Sequence, residues 1–313
     1  MCGIIGYVGE RDTAPLLLES LQRLEYRGYD SAGIAVIQDG AIHRRRSAGK
    51  LVNLATALAA SPLSGRIGIG HTRWATHGKP SEENAHPHTD CAGDIVLIHN
   101  GIIENYVSLK AELQSLGHVF ASETDSEVLV HLIEQEYHSS VGSPLVEATR
   151  RALARVKGAH AVVVMSLREP DRLVAARLGN AGGLVVGKGD HEMFLASDMP
   201  AILQYTRQMY FLGSREMAEV TRDGVTFSDL EGHPLAKAPQ TVSWDPVSAE
   251  KGGYKHFMLK EIHEQASSLS DTIAGRLDPE RGDVHLEHVA MTTDQVAQIS
   301  KMVIVACGTA WHA

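Results

Sequence analysis

Cys2 directly follows the initiator Met1, which suits a thiol nucleophile that uses its own α-amine as the base. That chemistry requires removal of Met1, because a Met1–Cys2 peptide bond would turn the amine into a non-basic amide. With a reference pKa of about 7.7–8.0, roughly a tenth or more of such an amine is neutral near pH 7. A thiol also needs less activation than a hydroxyl. The ordinary alternative is a buried strand cysteine. Asn100-Gly101 lies between the apolar runs Ile95–Ile98 and Ile102-Ile103. Taken alone, that pair predicts a type I′ hairpin turn. It also suits an oxyanion hole, with the Asn100 amide and the Gly101 N–H as donors. Arg73 offers a guanidinium fork for the α-carboxylate of an amino acid, or is simply a surface arginine after a strand. Asp125 could pair with an α-ammonium, or favour the dipole of a helix begun by a Thr124/Glu127 capping box.

These side chains need elements to hold them. Residues 2 to about 9 alternate apolar positions with Gly3, Gly6 and Gly9, as in a buried strand that another backbone approaches closely. Thr13 and Pro15 open a helix carrying Leu17, Leu18, Leu21 and Leu24 at helical spacing. After a turn at Arg27-Gly28, strands are predicted at Ala32–Ile37, Ile42–Ser47, Ile67–His71 and Ile95–His99. Helices follow at Tyr106–Leu116, Ser126–Tyr137 and Pro144–Val156. Six more short strands are expected at Ala161–Ser166, Leu173–Leu178, Leu184–Val186, Met193–Ala196, Tyr210–Leu212 and Met217–Thr221. Early strands, central helices and further strands make an α+β layered sandwich rather than a βαβ repeat. From about Asp223, Pro234, Pro239, Pro246 and Gly252-Gly253 punctuate a linker, and Phe257–Ala274 reads as a helix within it. Met302–Ala306 reads as a buried-type strand entering the turn Cys307-Gly308-Thr309, as an α/β phosphate site begins. No partner strand for it is visible, so it is read as the cut-off start of a second domain.

Composition narrows the function classes. The chain has 313 residues, 43% hydrophobic and 21% charged, the profile of an ordinary globular protein larger than one typical core. Its 29 Lys+Arg against 38 Asp+Glu give a net charge of -9, which argues against a nucleic-acid partner. Arg44-Arg45-Arg46 is read as a solvated strand end. No apolar run is long enough for a membrane span, and a secretion signal is not evident, so no membrane partner and a cytoplasmic location are expected. Cys2, Cys91 and Cys307 are odd in number and far apart, which suits neither a disulfide framework nor a zinc site. His86-Pro87-His88 with Asp90 and Cys91 lacks helical or paired-cysteine spacing and is expected to be a polar surface loop. Gly68-Ile69-Gly70 lacks the third glycine of a dinucleotide fingerprint. No metal and no cofactor are expected.

The order of the pieces is more specific than any one of them. Cys2–Gly6, Leu24–Gly33, His71–Gly78, His99–Tyr106 and Ser122–Val128 together resemble class II glutamine amidotransferases over about the first 222 residues. The resemblance implies an N-terminal nucleophile fold, a four-layer αββα sandwich, that cleaves the side-chain amide of L-glutamine. It implies Cys2 as nucleophile, Asn100 and Gly101 as oxyanion donors, and Arg73 and Asp125 as glutamine clamps. Trp74, Thr76 and His77 would belong to a loop that closes over glutamine, and Arg27 would lie near the nucleophile. Tyr26–Asp30, Arg73–Gly78, Asn100–Tyr106 and His256–Gln265 look like the branch that aminates and isomerises fructose 6-phosphate in amino-sugar synthesis. Ala266 and Ala310 depart from that branch, which usually has Pro and often Ser there. The implied domains are a glutaminase domain at 2–222, a linker with a helix at 223–300, and the start of a sugar-isomerase domain at 301–313. A homodimer is implied for the complete enzyme. A sibling acting on phosphoribosyl pyrophosphate and a non-catalytic module of the same fold remain as alternatives.

Overall fold

The computed structural model describes residues 2–139, 142–243, 254, 256–273, 276–278, 282–284 and 291–306. Met1 and the Cys307-Gly308-Thr309 turn lie outside the described residues. The chain divides into two compact units, Met1–Glu250 and Lys251–Ala313.

The first unit opens with β1 (Gly3–Val8), α1 (Thr13–Gln22), β2 (Ser31–Gln38), β3 (Ala41–Ala48), α2 (Leu51–Ala60) and β4 (Ile67–Arg73). Next come β5 (His88–Thr89), β6 (Ile95–Gly101), α3 (Tyr106–Ser115), α4 (Ser126–Ser139) and α5 (Leu145–Arg155). The strands β7 (His160–Ser166), β8 (Glu169–Leu178), β9 (Val185–Lys188), β10 (Met193–Ala196) and β11 (Gln208–Phe211) follow. The unit closes with β12 (Glu216–Thr221), β13 (Gly224–Asp229), β14 (Pro234–Leu235) and β15 (Gln240–Thr241). One sheet runs β15-β11-β9-β10-β1-β4-β2-β3 and the other β14-β13-β12-β8-β7-β6-β5.

Strand alternation builds the layers. In β1, Ile5 and Tyr7 pack with Leu17 and Leu21 of α1 and Leu54 of α2. Ile4 and Val8 point the other way, into a core shared with Val96 and Ile98 of β6 and Val163 and Met165 of β7. The opposite face of β6, Ile95 and Leu97, packs with Leu109 of α3, Leu129 of α4 and Leu153 of α5. Helices, sheet, sheet, helices: this is the expected four-layer αββα sandwich. In α5 the buried positions Leu145, Ala148, Thr149, Ala152 and Leu153 form one helical stripe.

Several expectations for this unit are corrected. Asn100-Gly101 is not a hairpin turn: β6 runs through both residues, with Asn100 opposite Ala161 and Gly101 opposite His160. Pairing along β7 overrides the local turn signal. The sandwich also runs past residue 222, because β13 pairs with β12, β14 with β13 and β15 with β11. The arginine run lies within β3 rather than at a solvated end. Arg44 donates to the Pro87 carbonyl (3.1 Å) and Arg46 to that of Ala85 (3.0 Å), anchoring the loop below them. In that loop His86, His88 and Asp90 are buried rather than displayed on a polar surface. His86 stacks on His71 at 4.2 Å, and His88 Nε2 lies 3.0 Å from the Thr124 hydroxyl.

The second unit contains α6 (Phe257–Ile273), a small hairpin of β16 (Leu277–Asp278) and β17 (Asp283–Val284), and α7 (Thr293–Ala297). A Thr292/Gln295 capping box starts α7. The strand expected at Met302–Ala306 does not form, and Met302 to Val305 are exposed. An apolar segment without a neighbouring strand has nothing to pair its backbone with.

Candidate active site

Residue parity brings the chemistry to one edge of the inter-sheet layer. Cys2 continues the Ile4 face of β1, Asn100 continues the Val96/Ile98 face of β6, and His71 and Arg73 continue the Ile67/Ile69 face of β4. Gly3 lets β1 approach β4 closely, since a Cβ there would meet the Thr72 Oγ1 at 2.5 Å. The Trp74 N–H donates to Cys2 Sγ (3.2 Å), a bond that favours the thiolate. Burial pushes the Cys2 thiol up, and the Trp74 N–H and the charge of Arg73 oppose that push.

Asn100 donates from Nδ2 to the Cys2 carbonyl (3.0 Å), and its Oδ1 accepts from His71 Nε2 (2.9 Å). His71 thereby fixes which end of the amide faces Cys2. Gly101 has φ +136, and a Cβ there would lie 2.1 Å from the Ala159 carbonyl. Both backbone and space therefore require glycine. Cys2, Trp74, Thr76, Asn100 and Gly101 line a cleft of about 460 Å³, with Ile102, Glu104, Ala159, Asn180 and Ala181 on its remaining walls.

Arg73, Asp125, His77 and Arg27 are not among the residues that line this cleft. Arg73 is buried, and its guanidinium donates to the loop carbonyls of His77, Gly78 (3.0 Å) and Lys79 (3.5 Å). Asp125 is buried and accepts the Ile103 N–H (2.7 Å), while His77 Nδ1 stands 3.8 Å from its other oxygen. Arg27 reaches the nucleophile's own residue: Nε donates to the Cys2 carbonyl (3.2 Å) and the guanidinium pairs with Asp198 (2.8 Å). Trp74 is 48% exposed and meets Tyr29 edge-on at 5.4 Å. The Thr124/Glu127 box is replaced by a longer reach, in which Glu127 accepts the N–H groups of Ala121 (2.8 Å) and Ser122 (2.7 Å).

Sequence reasoning missed Asp30, whose carboxylate accepts the Ala75 N–H, and it missed the buried histidines beside the site. Burial lowers His71 to about 4 and His88 to about 3, and drives His86 and His99 well down. They are neutral at pH 7 and leave acid–base work to other groups. A folded pKa below the unfolded value of about 6.5 means the unfolded chain takes up protons first. The stability these residues contribute is therefore present above pH 6.5 and is lost as pH falls toward 4. For His71 alone the loss is on the order of 3 kcal/mol by pH 4. Urea unfolding midpoints across this range are expected to fall steadily, and a flat midpoint between pH 6.5 and 4.5 would contradict the neutral-histidine assignment.

A family model described as a glutamine amidotransferase domain matches residues 71–204. All 313 residues align at 51% identity with the glutamine–fructose-6-phosphate aminotransferase (isomerizing) of Symbiobacterium thermophilum, covering 50% of that protein. The enzyme of the same name from Thermus thermophilus is 50% identical over the whole chain, again covering 50% of the relative. The chain thus spans about half the length of the relatives it matches. Among solved structures, the glutamine phosphoribosylpyrophosphate amidotransferase of B. subtilis superposes with TM-score 0.62 at 26% identity, covering 73% of this chain and 49% of that one. An allosteric regulatory enzyme of purine biosynthesis gives TM-score 0.64 at 25% identity, with the same coverage. The first unit therefore shares the N-terminal nucleophile sandwich of these amidotransferases, with Cys2 at its inter-sheet edge. Among the described residues, no helix is long and apolar enough to cross a membrane.

Proposed function

We propose that this chain hydrolyses L-glutamine to glutamate and ammonia at Cys2, and that the whole protein delivers the ammonia to fructose 6-phosphate, forming glucosamine 6-phosphate. The observation that carries the first part is the meeting of Cys2, the Trp74 N–H and the His71-oriented Asn100 amide at the mouth of one cleft. Once Met1 is removed, the free α-amine takes the thiol proton and the thiolate attacks the side-chain amide carbon. The Asn100 amide and Gly101 N–H receive the oxyanion. The amine then returns the proton to the departing ammonia, and water cleaves the thioester to release glutamate. Arg73 and Asp125 hold the α-carboxylate and α-ammonium, with Trp74, Thr76 and His77 closing over them.

In the present conformation Arg73 holds the carbonyls of its own loop. Glutamine binding therefore exchanges loop contacts for the substrate carboxylate. Arg73→Lys keeps the charge but loses the fork. The expected result is a KM raised by a charge-assisted hydrogen bond's worth, roughly 1.5–3 kcal/mol, with kcat less affected. An unchanged KM in steady-state kinetics would remove Arg73 from the carboxylate site.

The sugar-phosphate part rests on the whole-chain likeness to the fructose-6-phosphate enzymes, closer than the likeness to the phosphoribosylpyrophosphate enzyme. We assign the acceptor site, and a homodimeric assembly, to the whole protein. Residues 301–313 are proposed to begin its sugar-isomerase domain. The purified 313-residue chain, given glutamine and fructose 6-phosphate, is expected to release glutamate and no glucosamine 6-phosphate by mass spectrometry. Amino sugar above a no-enzyme control would place the acceptor site within these residues, and absence of glutamate release would defeat the glutaminase reading.

A further inference from the structure

Away from the cleft, three segments distant in sequence bring Cys91, His118, His131 and Glu134 together, with one ligand atom of each within 4.8 Å of the others. Cys91 follows β5, His118 lies between α3 and α4, and His131 and Glu134 share one face of α4. We propose that these four residues form a structural site for a divalent transition metal, and that their donor set selects zinc.

The distances fit that ion. Cys91 Sγ lies 3.8 Å from His118 Nδ1 and 3.6 Å from His131 Nδ1. With Zn–S near 2.3 Å and Zn–N near 2.0–2.1 Å, a tetrahedral S···N edge is about 3.6 Å. Glu134 Oε2 stands 2.9 Å from both Nδ1 atoms. The tetrahedral N···O edge is about 3.4 Å, so the carboxylate withdraws by a few tenths of an ångström on binding. A thiolate and a carboxylate balance the dication, leaving the half-buried site without net charge. Thiolate and imidazole donors disfavour magnesium and calcium, which take oxygen.

The outer partners point the same way. His118 Nε2 lies 3.1 Å from the Gln135 amide oxygen, which can only accept. Nε2 therefore donates to Gln135, and Nδ1 is the ring nitrogen turned toward Glu134 and Cys91. His131 is buried, with Nε2 lacking a hydrogen-bond partner and facing Glu127 at 3.8 Å. With a metal in the centre, each Nδ1 would ligate, and the outer ring nitrogens would face Gln135 and Glu127 as supporting partners. Glu127 also holds the N–H groups of Ala121 and Ser122, so the metal pins the segment that leads to Asp125. Cys91 is exposed, which gives the ion a route in.

The test uses the full chain, purified with a reductant and without chelators. Metal analysis is expected to find about one zinc per chain. Cobalt exchanged into the site is expected to give a thiolate-to-cobalt charge-transfer band with intense tetrahedral visible bands. Cys91→Ser, at an exposed position, should abolish that band and weaken zinc by ~100-fold or more in chelator competition. Gln135→Leu should weaken it roughly 10-fold, the usual cost of losing an outer partner. Circular dichroism confirms folding of both variants. Substoichiometric zinc that added zinc does not complete, cobalt bound without the charge-transfer band, or Cys91→Ser binding as tightly as the parent would each overturn the site. None of these readouts depends on glutaminase activity.

Discussion

Cys2→Ala is expected to abolish glutamine hydrolysis while leaving glutamine binding within a few-fold of the parent. In the proposed mechanism the Cys2 sulfur forms the bond to substrate, so its loss removes the covalent route altogether, a fall on the order of 10⁵–10⁶ in kcat. Binding is expected to survive because the proposed clamps Arg73 and Asp125 are untouched, and the loop from Trp74 to His77 loses only its contact with Sγ at Trp74. The change is also mild for the fold: the Cys2 carbonyl, which accepts from Arg27 and Asn100, belongs to the backbone and stays in place. Calorimetry with glutamine beside a glutamate-release assay separates the two effects. Residual activity at a tenth of the parent rate would mean that another group attacks the amide.

Asn100→Ala is expected to produce the next largest loss, on the order of 10²–10³ in kcat with a modest change in KM. One of its N–H groups holds the Cys2 carbonyl, while the amide as a whole is oriented by buried His71. Because His71 is neutral and its Nε2 meets an amide oxygen, its role is to position Asn100 rather than to move protons. An Asn100→Ala enzyme that lost affinity for glutamine but kept kcat would assign Asn100 to ground-state binding instead.

The places of the candidate site residues were more legible in the sequence than their supports. Cys2, Asn100 and Gly101 sit at strand ends whose parity can be followed from the alternation of Ile4, Val96 and Ile98 into the inter-sheet core. The helical stripes of α1 and α5 and most inner strands were readable for the same reason: burial on one face leaves a period. Long-range pairing was not readable. Asn100-Gly101 carries a strong local turn signal, yet β7 pairs through both residues. Gly224–Asp229 looked like linker because its alternation is weak, and it becomes a strand through the neighbouring β12. Histidines 71, 86, 88 and 99 look like polar surface residues in one dimension, and only stacking and mutual hydrogen bonding make them interior groups. Cys91, His118, His131 and Glu134 have no diagnostic spacing, since three separate segments must fold before they meet. Arg27, expected near the nucleophile, rests on the backbone carbonyl of Cys2 and on Asp198, a pairing that sequence order does not reveal.

The most direct test of Cys2 as the nucleophile is covalent labelling with a glutamine analogue that carries an electrophilic ketone in place of the side-chain amide. Intact mass and peptide mapping are read on protein whose Met1 has been removed. One adduct per chain, located on Cys2 and rising in step with loss of glutaminase activity, is the predicted result. An adduct on Cys91 or Cys307 that tracks inactivation, or full activity in protein already labelled at Cys2, would contradict it.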